Sequence, residues 1–408
     1  MGVQMIYKTI STKLQHKLAL KGNIKILLFQ SIIGSIGYGM LFPIWQPFVL
    51  SLGASMSILG GLRAIITLLS SISSLIWGKL SDIAGRKPFI VLLYALRATA
   101  IVICVFAKAW PLLTLYAIFM GLSASFQQHN PATASLVAES VNREERGTAY
   151  SVIMASSTIV SAVVAPIGGL LEMMFGFNLI FAGCILVDFI GIILTAFFIK
   201  ETLKEEHKGL KKRKSLLTEI QSMFKPEPHL RGFYLALIVD AFAWGLGSYI
   251  LYGMLVKAYN FTKYQLGLLS TILSLGWGIS QVPMGKLIDR YGRKLFLLIS
   301  ESTGMIALTG WLFSKSFMSF AILQIPYGLM ISAWVPAIAA LLADSVPMKK
   351  RGEAMGKLQA FRGIFAFPAP YIGGLLFDAF GFRAPILANL MGSAVAFTLI
   401  CLLVKEAT

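Results

Sequence analysis

The sequence predicts an all-α polytopic membrane protein, with twelve transmembrane helices in two pseudo-symmetric six-helix bundles. Three observations carry that prediction. Apolar runs of about 20 residues recur from end to end, long enough to cross a hydrocarbon core of roughly 30 Å as helix. Loops rich in Lys and Arg alternate with loops that are not. Phrases from the first half return in the second at nearly constant spacing.

Composition supports the first point. Of 408 residues, 57% are hydrophobic and 13% charged, with a mean hydropathy of +0.76, whereas soluble domains are about 25% charged. A β-barrel would alternate polar and apolar residues and would not give such runs. The expected spans are 24–50, 56–79, 88–107, 110–138, 147–173, 177–199, 231–257, 263–286, 295–314, 317–343, 352–376 and 383–404. The one long polar stretch, 200–230, divides an N-terminal unit, 1–199, from a C-terminal unit, 231–408. Within that stretch "SLLTEIQSMF" has some helical periodicity and would suit a short amphipathic helix on the inner leaflet.

Charge supports the second. The net charge of +18 invites a nucleic-acid reading, but 28 of the 36 Lys and Arg fall in seven segments: 1–25, 79–87, 139–146, 200–231, 286–294, 344–357 and 405–408. Those segments alternate strictly with the remaining loops, which excludes a nucleic-acid face. It predicts a cell-membrane protein with both termini and the middle loop in the cytoplasm. The first apolar stretch, from Ile26, runs the full spanning length and lacks a cleavage site, so no signal peptide is expected. "MGVQMI" has Ile6 where a myristoylation signal needs Ser or Thr. The basic segment up to Lys25 is expected to lie along the inner surface. Cys104, Cys184 and Cys401 sit inside apolar runs and read as small core hydrophobes, with no disulfide framework, metal site or cofactor.

The repeat supports the third. "GKLSDIAGRKPF" at 78–89 returns as "GKLIDRYGRKLF" at 285–296, an offset of 207. Further on the offset becomes 205: "ESV" at 139 matches "DSV" at 344, Arg146-Gly147 matches Arg351-Gly352, and "IGGLL" at 167 matches "IGGLL" at 372. A two-residue indel explains the change. Six spans return the chain to the same side, so the duplicated units run parallel. In each copy of the phrase the first glycine, Gly78 or Gly285, would allow close helix approach. Gly85 and Gly292 suit a tight turn. Arg86, Lys87, Arg293 and Lys294 can reach phosphates or acids. Asp82 and Asp289 are carboxylates at helix ends, where another helix's N-terminus or a cation would stabilise them. A contact of that kind, made in one arrangement of two bundles and lost in another, is a latch.

With these motifs nearly the whole chain resembles the major facilitator superfamily, in particular its twelve-span drug/proton antiporter branch. "GKLSDIAGRK" is similar to that family's loop signature between the second and third spans, and the second copy to its echo between the eighth and ninth. "YGMLFPIWQPFVLSLGAS" resembles the branch's first span and exit loop. "SAVVAPIGGLL", 161–171, resembles its fifth-span motif, with Ser161 and Ala165 where Gly is expected. The branch's fourth-span Arg is absent: Ala117 stands four residues before Gly121.

The resemblance implies two bundles rocking about a central site. Asp82 would brace the inner end in the outward-open state, with Glu139 and Arg146 joining Arg86 in a charge cluster, and Asp289, Arg293, Asp344 and Arg351 as the matching set. It implies a secondary transporter of small organic molecules working by alternating access. The first form is proton-coupled drug or metabolite efflux; the alternative is uptake or facilitated diffusion of a sugar or organic acid. Partners would be the small-molecule substrate, a proton or other ion, and membrane lipid, with the monomer as the working unit. A polytopic enzyme or non-transporting receptor is the competing class, but HExxH, GxSxG, Walker and Cys/His signatures are all missing.

Ionisable groups inside spans are costly and default to functional hypotheses. Asp240, with Trp244 and Gly247 on the same helix face, is the first candidate for cation binding or proton carriage, against a plain buried hydrogen-bonded Asp. Arg362 would counter an anionic substrate, hold Asp240's side of the cavity, or serve structure alone. Asp188 and Arg97 read as an internal ion pair, and Glu301 is expected to reach the inner surface or a nearby cation. Polar stripes mark faces turned to protein or water: Ser270, Ser274, Trp277 and Gln281 in span eight, and Arg63, Thr67, Ser70 and Ser74 in span two. Gln30, Tyr38 and Trp45 in span one, Gln127, His129 and Asn130 in span four, and Gln324, Tyr327 and Trp334 in span ten complete the set. Taken singly, each is as compatible with packing as with ligand contact.

Overall fold

A computed structural model describes residues 21–124, 131–142, 145–203, 227–347 and 351–406. Its helices are α1 (Asn23–Ser51), α2 (Met56–Ala84), α3 (Arg86–Phe106), α4 (Leu113–Leu122), α5 (Pro131–Ser140), α6 (Arg146–Phe175), α7 (Phe177–Phe198), α8 (Arg231–Gly247), α9 (Leu251–Tyr259), α10 (Lys263–Tyr291), α11 (Arg293–Phe313), α12 (Phe317–Ser345), α13 (Arg351–Ala366), α14 (Ala369–Phe380) and α15 (Arg383–Leu403). Among the described residues 11 helical segments are long and apolar enough to cross a membrane, and Trp110–Leu122 is a shorter apolar one. The proposed amphipathic helix around "SLLTEIQSMF" and the first 20 residues lie outside the described residues.

Three expected spans are interrupted. Span four, read as one helix over 110–138, is broken after Leu122, where Ala124 has φ 50°, and the next described helix is Pro131–Ser140. The Leu122 carbonyl at this break accepts from Trp77 Nε1 at 2.7 Å. Span seven breaks into α8 and α9 through a 3₁₀ turn, Ser248–Ile250. Gln46 serves the freed backbone there, donating to Tyr249 O at 3.0 Å and accepting from Gly253 N at 2.7 Å. Span eleven breaks between α13 and α14 at Pro368. Non-helical backbone at membrane depth is tolerated because protein groups satisfy it.

The first six spans pack on one another, α1 against α6 and α7, α3 against α7, and α2 against α4; the last six do likewise, α10 and α11 against α12, and α8 against α15. The halves meet along two seams, α2 with α14 and α6 with α10. A Cβ added at Gly60 would collide with the Pro370 carbonyl and one at Gly374 with the Met56 carbonyl; one at Gly169 would meet Lys263 backbone and one at Gly267 the Ala165 carbonyl. These pair up in the repeat: Gly60 and Gly267 are 207 apart, Gly169 and Gly374 are 205 apart. One crossing is thus written twice.

Both crossings lie at the end opposite the basic loops. Toward the basic end Gly363 lies close on Ser71, Thr271 Oγ1 donates to Ala162 O at 2.5 Å, and a Cβ at Gly278 would still be 3.8 Å from Thr158. Beyond them Gln281, Val282 and Pro283 are exposed in succession around α10, as on a helix with a gap on one side and lipid on the other. A Cβ at Gly285 would meet nothing within 4 Å, so the close approach expected of that glycine is not made. The gap between the halves is closed at one end and open at the basic end.

At the basic end the repeat also sets two turns. Gly85 and Gly292 have φ of 108° and 103°, a region that only glycine enters freely. Each turn feeds a helix whose first N–H groups are capped from the end of the sixth helix of the same half. Glu201 accepts from Arg86 N and Lys87 N, both at 3.0 Å; Glu406 accepts from Arg293 N at 2.6 Å and Lys294 N at 2.8 Å. Partial burial disfavours charge on Glu201, but the N–H groups of Leu203, Arg86, Lys87 and Thr202 outweigh it and hold the carboxyl below its ordinary range. A carboxyl held low contributes stability above its ordinary pKa and loses it as pH falls through the folded value.

Two outcomes follow. Glu201→Gln is expected to lower the thermal midpoint at neutral pH, by the equivalent of about 1 kcal/mol for a lost cap, and the gap to the native protein should close as pH drops below 4.5. Gly60→Ala is expected to part the crossing, because overpacking costs roughly 1–3 kcal/mol. A cysteine at Ser57 should then label several-fold faster, whereas Gly61→Ala, whose Cβ would meet only the Tyr371 ring at 3.5 Å, leaves the rate unchanged.

Candidate functional site

Three charges converge in the C-terminal half. Asp240 on α8, Glu301 on α11 and Arg362 on α13 lie nine, eight and eleven residues from the basic ends of their helices, roughly 12–17 Å deep at about 1.5 Å per residue. Asp240 and Glu301 are 2% and 1% exposed. Arg362 Nη2 stands 3.5 Å from Asp240 Oδ2. Glu301 faces Asp240 and Trp244 with Arg362 within electrostatic reach, so of the two expectations for it the nearby cation is met and the inner surface is not; Gly304, one turn on, leaves room for the Trp244 ring. Trp244 stacks on Tyr327 with centroids 5.5 Å apart at 20°, and Trp311 meets Tyr327 edge-on at 5.2 Å. Arg362 Nε and Glu301 Oε2 have no hydrogen-bond partner among the described residues, so the cluster has unused polar capacity.

The N-terminal half holds a closed counterpart. Arg97 grips Asp188 through two nitrogens, Nε at 2.9 Å and Nη2 closer still. Tyr38 donates its hydroxyl to Asp188 Oδ2 at 2.5 Å, and its ring lies 4.1 Å under the Arg97 guanidinium. The expected ion pair is present, and Tyr38 belongs to it rather than to the acid cluster. Gln30 is likewise committed: its amide donates to Gly191 O and Thr195 Oγ1 at 2.9 and 2.8 Å, tying α1 to α7. Trp334 packs in an apolar core with Phe233, Phe296 and Phe361. Ser274 is half-buried and Gln281 exposed on α10. Gln127, His129 and Asn130 lie outside the described residues.

The residues read as a latch keep to their own halves. Arg86 binds Asp82, Ser81 Oγ at 2.9 Å and Glu139 at 2.9 Å; Thr202 adds a hydroxyl to Glu139 at 2.5 Å. Arg146, expected in this cluster, is exposed, and among the described residues no ion pair joins it to Glu139. In the second half Arg293 Nε pairs with Asp344 at 3.0 Å, and Asp289 and Arg351 are exposed. Among the described residues no ion pair or hydrogen bond joins Asp82, Glu139 or Asp344 to the opposite half.

The contacts that do cross are at the other end, and the sequence reading missed them. Asp378 on α14 accepts from Met56 N at 3.1 Å and Ser57 N at 2.8 Å, the first N–H groups of α2. Glu172 on α6 meets Lys263 Nζ at the start of α10, 3.2 Å away. A carboxylate on a helix N-terminus is the chemistry expected of Asp82, realised on the far side of the membrane. A signal was available: each copy of "IGGLL" is followed within two residues by an acid, Glu172 or Asp378.

Comparison with known proteins agrees. The family model of the Major Facilitator Superfamily matches residues 27–255 and 233–408. The multidrug resistance protein MdtG of Salmonella typhi is 26% identical over 375 residues, covering 89% of this chain and 91% of its own length, and that of Salmonella arizonae aligns equally. Among solved structures, a point mutant of the nucleoside transporter NupG superposes with a TM-score of 0.77 at 12% identity, covering 94% of this chain and 100% of that one. The human organic anion transporter MFSD10 gives 0.66 at 15%, covering 92% and 98%. A bacterial homologue of the lysosomal transporter Spinster gives 0.69 at 14%, covering 92% and 95%. Such distant structures establish a shared fold and nothing finer. The paired bundles, the doubled loop phrase and a family match across almost the full length have one meaning: this chain belongs to the major facilitator superfamily, a family of membrane transporters rather than enzymes.

Proposed function

We propose that the protein exports small organic molecules across the cell membrane by alternating access, driven by proton entry. The observation that carries this reading is the pair of buried carboxyls, Asp240 and Glu301, sharing one cation, Arg362, in a wall of the C-terminal half. Two carboxyls and one guanidinium are neutral with one proton bound and anionic without it, and at membrane depth that difference is expensive. A cluster of this kind exchanges its proton when its surroundings change from one side of the membrane to the other.

The basic end is the cytoplasmic end by the positive-inside rule, so the conformation is inward-open. In it a substrate enters from the cytoplasm as the cluster releases its proton. The units 1–199 and 231–408 then pivot, Asp378 and Glu172 let go, and Asp82 and Asp289 brace the inner ends. Outside, a proton returns to the cluster and the substrate leaves. The multidrug resistance proteins related to this chain support export of organic molecules as the direction and cargo class. The monomer holds every part of this cycle.

Reconstituted flux tests the proposal, using a substrate found by thermal-shift screening of the purified protein. Glu301→Gln and Asp240→Asn are expected to keep counterflow within about threefold and to lose tenfold or more of the flux driven by a pH gradient, the scale of a lost charge-dependent step of about 1.4 kcal/mol. Gradient-driven flux that survives both substitutions would sink the proton assignment. Asp378→Asn removes a charge from a helix N-terminus, a contact of about 0.3–1 kcal/mol. It should raise labelling of a cysteine at Ser57 two- to fivefold, whereas Asp82→Asn should lower it.

A further inference from the structure

The two seams between the halves carry one crossing in duplicate, and the copies are not equally tight. Ser71 on α2 faces Gly363 on α13. The repeat offsets of 207 and 205 carry that pair onto Gly278 of α10 and Thr158 of α6, so the glycine has changed sides. A Cβ added at Gly363 would collide with Ser71 Oγ, whereas one at Gly278 would rest 3.8 Å from Thr158. The difference continues one turn toward the basic end. On the first seam Ala360 is 5% exposed, and Ser74, Leu75 and Ile76 are half-buried. On the second, the equivalents Ala155, Gln281, Val282 and Pro283 are all exposed. Pro283 also withholds from α10 an N–H that Ile76 supplies in α2, which makes α10 the helix of the pair suited to bend here.

The faces that part at this level are the ones that meet nearer the closed end. Gly267 and Thr271 of α10 pack on Ala165 and Ala162 of α6. At helical spacing the same faces run on through Ser274, Gly278 and Gln281, and through Thr158, Ala155 and Ser151. Those strips are mostly small and polar. Beside them stand apolar side chains: Ile159 and Val163 on α6, each 61% exposed, and Ile279 and Val282 on α10, 75% and 68% exposed. Large apolar groups bare to this degree in a membrane-spanning chain face hydrocarbon, so the seam gives onto lipid as well as onto the gap. Gly278 and Gln281 lie thirteen and ten residues from the basic end of α10, roughly 20 and 15 Å at about 1.5 Å per residue. That depth spans the inner half of a core of roughly 30 Å and reaches the level of Asp240 and Glu301.

We infer that the α6–α10 seam is a side slot open to the cytoplasmic leaflet, and that it takes a single-tailed amphiphile from that leaflet. The tail lies along the apolar rim, which spares it contact with water. The head meets the hydroxyls and amide of the polar strips, which both donate and accept and so need no charge on it. A slot between two helices that narrows to van der Waals contact at Gly278 has width for one tail. The α2–α13 seam, tight at Ser71 and Gly363, does not admit it. This rests on the proposal that the gap takes organic substrates, and it names their class and their way in.

The test uses full-length protein in lipid vesicles with Cys401→Ser as background, since Cys104 and Cys184 are buried. Ala155→Cys and its repeat equivalent Ala360→Cys are labelled with N-dodecylmaleimide, which partitions into the bilayer, and with a sulfonated maleimide, which stays in water. The dodecyl reagent is expected to label Ala155→Cys at least tenfold faster than Ala360→Cys. Myristoyl lysophosphatidylcholine should slow that labelling at least threefold, and glycerophosphocholine, the same head without a tail, should leave it unchanged. Labelling of Ala155→Cys by the sulfonated reagent alone overturns the slot, because the position then faces only the aqueous gap. Equal dodecyl rates at the two positions overturn the difference between the seams, and absence of protection by the lysolipid overturns the occupant. Gln281→Cys and its equivalent Ser74→Cys repeat the comparison from the facing helices, so the matter is decided even where an alanine variant does not fold. Export is judged separately by the gradient-driven flux of Glu301→Gln. Flux that depends on Glu301 without a slot would mean that substrates enter through the basic end from water.

Discussion

In hydrocarbon, apolar side chains gain little by meeting each other instead of lipid, so two helices hold together through close backbone approach and polar contacts. Gly60 and Gly374 at one seam, and Gly169 and Gly267 at the other, supply that approach. Asp378 on the start of α2, Glu172 on Lys263, and Gln46 on the broken seventh span supply the polar contacts within the same end. Everything else about the molecule's shape follows from these crossings. Where they hold, the gap is shut; beyond Ser71 and Gly363 the helices diverge and the basic end stands open.

Buried charge divides along a related line. The Arg97–Asp188–Tyr38 group balances its charge, and its carboxylate is engaged on both oxygens by the guanidinium and the phenol, so it ties α1, α3 and α7 together and has nothing left to offer. The Asp240–Glu301–Arg362 group has one acid too many and unpartnered atoms on two of its members. Satisfied networks rigidify; unsatisfied ones at membrane depth are tolerated where a ligand or proton completes them. The contrast between two charge groups at similar depth in two homologous halves locates the chemistry better than burial of either alone.

Along the gap the side chains fall into layers. Loop carboxylates and arginines lie at the basic end, the acid cluster lies deeper, the Trp244–Tyr327 stack comes next, and the glycine crossings close the far end.

Much was legible in the residues themselves. Span length, basic loops and the 207- and 205-residue offsets are local or additive properties, so they determined twelve spans, two related halves and the turns at Gly85 and Gly292. Asp240 and Arg362 stood out because any charge within a span does. What tertiary structure alone decided is which groups meet. Asp378 and Ser57 are 321 residues apart, Glu301 and Asp240 are on different helices, and Tyr38 and Gln30 look like cavity residues until their partners on α7 are seen. The breaks in spans four and seven were hidden because the groups that satisfy the exposed backbone, Trp77 and Gln46, come from other helices. The end at which the halves close was unreadable for a sharper reason: a duplicated sequence writes contact glycines and acids for both ends, and only the packed chain shows which set is in use.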